Sequence, residues 1–351
     1  MHFPIDKEIY MQQIKQDLKS LCTATGVGGQ QEITQIATEL LRPLVDEVQT
    51  DAMGNVLGFR YSHTADAPTV MLEAHLDEIG FMVTHIDDHG FVYTAAAGGI
   101  DRRVLTGQEV VVYGDQAYRG IFCSVPPHLA GKDNELPELS KWGIDVGLSG
   151  DEAKANIPVG SRVAFAPHFC ELNESIVCSK ALDDRAGMAA ILHCLRQCTD
   201  ELPVNVAVAF CVQEELGCRG AAPATRRIQP DEAIVTDVSF ALTPYANPNQ
   251  CGKMGEGVMI GISPILNQPM TKRLFELAKE KNIPCQSEVC SGGTGTDADH
   301  ITTCLCGVPG ALLSIPQRYM HTPIETVDLR DVAAVGDLMA AYISKGVTVN
   351  E

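Results

Sequence analysis

Residues 207–220 read Ala207-Val-Ala-Phe-Cys-Val-Gln-Glu-Glu-Leu-Gly-Cys-Arg-Gly220, an apolar run that stops on two adjacent carboxylates, Glu214 and Glu215, and then on glycines. A short apolar run bounded by Gly reads as a buried strand, and open α/β sheets collect their ligands beyond the C-terminal ends of such strands. A Glu-Glu pair standing alone would be ordinary solvated surface charge. Here, however, other apolar runs also stop on His or Asp. Val70-Met-Leu-Glu-Ala-His75-Leu-Asp77 ends on His75 and Asp77, Glu232-Ala-Ile-Val-Thr-Asp237 ends on Asp237, and Ala311-Leu-Leu-Ser-Ile-Pro316 is followed closely by His321. Strands that deliver such groups to one edge of a sheet would converge them on metal.

Composition is compatible with that reading and excludes others. At 351 residues, with 45% hydrophobic and 20% charged residues, the chain is an ordinary globular protein of roughly two domains by the usual length scale. The net charge of −19 argues against nucleic-acid and anionic-membrane partners, both of which need clustered positive charge. No apolar run is long enough to span a bilayer, and the N-terminus lacks the basic-then-apolar layout of a secretory signal, so a cytoplasmic location is expected. The 13 cysteines fit that compartment: their number is odd, and they are scattered through apolar runs without a disulfide framework.

Along the chain, Ile9, Tyr10, Ile14, Leu18 and Leu21 recur at helical spacing over residues 5–22. A second helix is expected over 32–44, a pair of strands over 46–61, and a strand over 69–74 that delivers His75. From about residue 80 to 167 the pattern changes to short alternating runs at 81–86, 91–94, 109–113, 118–123 and 162–166, separated by Gly and Asp turns. That is the pattern of a small antiparallel barrel. A polar connector over 125–141 interrupts it. Because β-α alternation precedes this segment and resumes after Ser179, residues 79–168 are expected to be an inserted β-barrel domain. Residues 1–78 and 169–351 would then form one three-layer α/β/α sandwich. Helices over 180–198, 270–281 and 329–344 and strands over 204–212, 232–236 and 310–315 complete it.

His75, Asp183, Glu215, Asp237 and His321 are the candidate metal ligands. Mixed imidazole and carboxylate donors suit zinc, cobalt or manganese, whereas magnesium and calcium prefer oxygen alone. Two metals need one bridging carboxylate, and Asp183 or its neighbour Asp184 could supply it. With Asp183 as the bridge, His75 and Asp237 would serve one ion and Glu215 and His321 the other. Glu214, beside a ligand, could take the proton from an attacking water. Asp77 shares a strand face with His75 and could hold the second imidazole nitrogen.

The motifs Ala74-His75-Leu-Asp77-Glu-Ile-Gly80, Leu182-Asp183-Asp184-Arg185, Gln213-Glu214-Glu215-Leu-Gly-Cys-Arg-Gly220, Thr236-Asp237-Val238, Thr294-Gly-Thr-Asp-Ala298 and Arg318-Tyr-Met-His321 occur in this order. Together they resemble the glutamyl and tetrahedral aminopeptidase family of two-metal exopeptidases. The resemblance runs over nearly the whole chain. It implies metal ligation by His75, Asp183, Glu215, Asp237 and His321, a catalytic base at Glu214, a supporting acid at Asp77, and a pair of divalent ions per subunit. It also implies removal of N-terminal residues from peptides with a free amine, dimerisation through the inserted domain, and a homo-oligomer, with dodecamers common in the family. A metal-dependent deacylase or deacetylase of a modified amino acid or sugar would need the same centre and is the alternative. A glycosidase would need neither His75 nor His321. The glycine-rich residues 292–297 lack the Lys of a phosphate loop and are read as a pocket wall.

Overall fold

The computed structural model of the chain describes residues 7–126, 128, 136–199 and 201–348. The strand Asn205–Cys211 runs parallel to Thr69–His75, which in turn lies parallel to Glu232–Phe240, and Gly310–Arg318 pairs parallel with the last of these. Strands of a parallel sheet are covered on both faces, so they read as unbroken apolar runs, as Val70-Met-Leu and Ala207-Val-Ala-Phe do. Further strands, antiparallel except for Cys285–Val289 beside Val258–Ile262, widen this centre to an 11-stranded sheet among the described residues, with Glu47–Thr50 at one end of the strand order and Cys170–Glu171 at the other.

Helices cover both faces. On one, Leu182–Gln197 packs against Lys7–Thr23, Leu329–Lys345 and the sheet. The interface is apolar: Ile14, Leu18, Leu21, Leu192, Leu338 and Tyr342 are completely buried within one cluster. On the other face, Ala221–Ile228 and Ala298–Ile301 close a smaller cluster around Met71, Ala209, Val235 and Leu312. The expected three-layer sandwich is therefore present. The opening helix begins at Lys7 among the described residues, and Ile5, where the sequence pattern starts it, lies outside them.

Between Thr69–His75 and Cys170–Glu171 the strands Gly80–Ile86, Val92–Ala97, Glu109–Tyr113, Ala117–Phe122, Gly143–Asp145 and Arg162–Phe165 close into an antiparallel barrel. It has its own core, in which Phe81 meets Phe122 and Phe165 edge-to-face at ring separations of 5.0 and 5.5 Å. Gly143–Asp145 is not announced by the sequence, since three residues carry too little alternation to be recognised. Of the connector over 125–141, residues 127 and 129–135 lie outside the described residues, and its end is the short helical turn Leu139–Lys141. All 13 cysteines are free, and among the described residues no helix is long and apolar enough to cross a membrane.

Candidate metal centre

Each sequence-predicted residue reaches the centre from a different element. His75 ends the strand Thr69–His75, and Asp183 lies in the first turn of Leu182–Gln197. Glu214 and Glu215 sit in a tight turn just past Asn205–Cys211, where Gln213 takes a positive φ of 62° and the amides of Gly217 and Cys218 donate to the Glu214 carbonyl. His321 occupies a turn beyond Gly310–Arg318, also at positive φ. Asp237 differs from expectation in one respect: its strand does not stop there but continues to Phe240, because pairing with Gly310–Arg318 persists through Phe240 and Gln317. Asp237 thus projects from the middle of a buried strand.

These side chains converge. His75 Nε2 lies 2.9 Å from Asp183 Oδ1 and 4.0 Å from Asp237 Oδ1. His321 Nε2 lies 3.4 Å from Asp183 Oδ2 and 3.5 Å from Glu215 Oε2. Two triads result, His75/Asp183/Asp237 and Asp183/Glu215/His321, each with donor atoms within 4.8 Å of one another. Asp183 is common to both, and its two oxygens face different imidazoles. Asp184 belongs to neither. Its Oδ1 accepts the Gly187 amide at 3.0 Å, and Gly187 is required there because a Cβ would stand 2.3 Å from Oδ2.

The donor set fits divalent cations. Relative exposure is only 2% at His75 and 6% at Asp183 and Asp237, and crowding acidic groups in so dry a site is costly unless positive charge accompanies them. The proton affinities carry that signature. Burial, reinforced by the Asp183 charge, pushes Glu215 well above the usual carboxylate range, and burial with Asp184 and Asp183 does the same to Asp237. Burial would lower His75, but hydrogen bonding to Asp183 and the acidic surroundings outweigh it and raise the imidazole. Burial would likewise raise Asp183, yet His321 and His75 hold it well below the ordinary value. A cation entering the site displaces such retained protons, since carboxylate and imidazole ligate in their basic forms.

The groups around the candidate ligands are equally specific. Asp77 Oδ1 is 3.6 Å from His75 Nδ1, beyond hydrogen-bond range, and accepts the Glu214 backbone N–H at 3.0 Å. Asp77 therefore fixes the turn that carries Glu214 as well as lying beside the imidazole. The Glu214 carboxylate accepts from Cys218 Sγ at 3.3 Å, and burial raises its proton affinity. With Asp183, Glu215, Asp237 and His321 it lines one cavity of about 820 Å³. The barrel also reaches this cavity. A Cβ at Gly99 would stand 2.8 Å from His321 Nδ1, and one at Gly98 would stand 3.2 Å from Glu215 Oε2.

Sequence reasoning missed two supports. Glu325, 1% exposed, accepts the backbone amides of Asp183 at 3.1 Å and His321 at 2.9 Å, so one carboxylate clamps the main chain under a candidate ligand of each triad. Nothing at the start of the strand Glu325–Asp328 announces this. Glu325→Ala is expected to weaken divalent-cation affinity about 10- to 100-fold, read by competition with a chelating dye. Unchanged affinity would show the clamp to be idle. Glu78, quoted in the first motif without a role, forms a buried ion pair with Lys180 at 2.7 Å and accepts the Gly26 amide at 2.7 Å. Lys180 also donates to the Ala24 carbonyl, and the buried Arg185 donates to that of Leu21. This network ties the end of the opening helix to the segment that carries Asp183.

Residues 54–338 match the M42 glutamyl aminopeptidase family. The chain belongs to that family. It is accordingly a metallo-aminopeptidase, a hydrolase of peptide bonds in a family of divalent-metal enzymes. A lysyl aminopeptidase of Pyrococcus furiosus is 33% identical, covering 90% of this chain and 92% of its own. An aminopeptidase from the archaeon Desulfurococcus kamchatkensis superposes with a TM-score of 0.90 at 33% identity, covering 97% of this chain and 99% of its own. A glutamyl aminopeptidase of Lactococcus lactis is 28% identical, covering 84% and 85% of the two chains. A TET peptidase of Pyrococcus horikoshii, described as assembling into a tetrahedron or a large octahedral shell, superposes with a TM-score of 0.83 at 28% identity, covering 94% and 99%.

Proposed function

We propose that this M42 enzyme removes the N-terminal residue from peptides with a free amine, with a pair of divalent cations, zinc or cobalt in preference to manganese, held by the two triads. His75 and Asp237 would hold one, Glu215 and His321 the other, and Asp183 both. The observation that carries this reading is the pair of triads sharing Asp183 on the wall that also bears Glu214. Bound there, the cations would supply Lewis acidity at the scissile carbonyl and lower the pKa of water at the site.

The protein's own part follows from its side chains. Glu214, half-buried and with raised proton affinity, takes a proton from the attacking water and returns it to the departing amine. Asp77 keeps that base in place through the Glu214 amide. The cavity, about 820 Å³, has room for a chain end and a side chain beside the reacting groups.

Residues 1–78 and 169–351 serve as the catalytic domain and residues 79–168 as a dimerisation domain. The Pyrococcus horikoshii assembly, a tetrahedron or a large octahedral shell, supports a homo-oligomer here. A cytoplasmic location accords with the free cysteines. The test is turnover of free-amine aminoacyl nitroanilides beside their N-acetyl counterparts, on chelator-stripped protein with zinc, cobalt or manganese restored. Metal-dependent release from free-amine substrates alone is expected. Turnover of acylated substrates alone would replace the aminopeptidase by a deacylase.

A further inference from the structure

The family does not fix the preferred N-terminal side chain, since relatives named for lysine and for glutamate both match. The cavity of this chain carries one charged group outside the catalytic cluster. Glu288 lies on the marginal strand Cys285–Val289 and reaches back across the sheet to line the same cavity as Asp237 and His321. One carboxylate oxygen accepts from the Ser314 hydroxyl at 2.5 Å and the other from the Ser239 hydroxyl. Both donors are neutral. Among the described residues no lysine or arginine lines the cavity, and none pairs with Glu288. An ionised carboxylate offers about four acceptor positions, so fixing it with two hydroxyls leaves capacity for a cationic donor.

Its position relative to the centre is suitable. Ser314 stands in register with Asp237 on the adjacent strand, and Ser239 follows Asp237 by two places on the same face. At roughly 3.3 Å of rise per residue, Ser239 lies about 7 Å beyond Asp237 along the strand. A lysine side chain spans roughly 6 Å from Cα to Nζ by ordinary bond lengths. With its α-amine at the catalytic cluster, a substrate of that length brings an ammonium to Glu288.

We propose that Glu288 is a specificity determinant that selects substrates with a cationic N-terminal side chain, lysine or arginine. The inference rests on the aminopeptidase reading. Arginine can engage both carboxylate oxygens in parallel, whereas a glutamate side chain directed at Glu288 meets like charge with no lysine or arginine beside it among the described residues. Met259, Leu312 and Phe240, which also line the cavity, pack against the aliphatic stem.

Lysyl and norleucyl nitroanilides differ essentially in the terminal ammonium, so their ratio of kcat/KM isolates it. The wild type is expected to favour lysine about 10- to 100-fold. Glu288→Gln, which keeps an acceptor for one serine, is expected to bring that ratio within about threefold of unity while norleucine turnover changes little. Glu288→Lys is expected to invert the preference toward glutamyl substrate. A second comparison needs no variant: lysinamide should inhibit the wild type more tightly than norleucinamide by a similar factor. A lysine-to-norleucine ratio near one in the wild type, or one that Glu288→Gln leaves unchanged, overturns the proposal while norleucine turnover leaves the aminopeptidase intact. No turnover of any free-amine substrate overturns both.

Discussion

Glu214→Gln is expected to retain its cations and lose catalysis, with kcat falling about 10²- to 10⁴-fold, the usual contribution of a positioned general base. The substitution is close to isosteric. The Glu214 amide still donates to Asp77, and the turn that carries Glu215 keeps its backbone bonds. What is removed is the capacity to accept a proton from water. Metal content by elemental analysis should therefore match the wild type while steady-state kcat collapses. Near-normal turnover with full metal content would place the base elsewhere, and parallel loss of both would show that Glu214 acts through the ligands instead.

The largest effect on stability is expected at Glu78. Its carboxylate is the direct partner of Lys180, with both groups at most 2% exposed, and the buried Arg185 lies within its electrostatic reach. Deleting one partner of a buried pair strands the other charge without solvent, so Glu78→Ala should cost about 3–5 kcal/mol in urea denaturation. The double change Glu78→Ala with Lys180→Met should recover much of that loss, because the cost comes from the stranded ammonium. Equal stabilities for the single and double variants would mean that the Gly26 hydrogen bond, not the ion pair, is the important contact.

The parts of this molecule legible in its sequence are those written in local pattern. Buried parallel strands announce themselves as apolar runs, and the residues at or just past their ends, His75 and Glu215, stand out because their chemistry contradicts the run they follow. The sequence pattern ends the strand at Asp237 because the polarity of Thr236-Asp237 resembles a terminus, while the pairing that carries the strand onward lies far away in sequence. Glu325 and Glu288 could not be recognised at all. Glu325 acts on an amide 142 residues away, and Glu288 becomes a cavity wall only when three other strands lie between its own margin and Asp77's side of the sheet. Their neighbours in sequence say nothing of either task. Nor does any local signal distinguish Asp183 from Asp184, since the separation depends on which carboxylate meets Gly187.

The contact of Gly98 and Gly99 with Glu215 and His321 has a mechanical consequence. The small barrel is built into the cavity, because its turn after Val92–Ala97 stands where a side chain would crowd Glu215 or His321. If another copy of the chain seats against the barrel, as proposed, the turn at Gly98 and Gly99 is the route by which that contact would bear on Glu215 and His321. Assembly would then meet the candidate centre at a turn two glycines wide, with no room there for a larger residue.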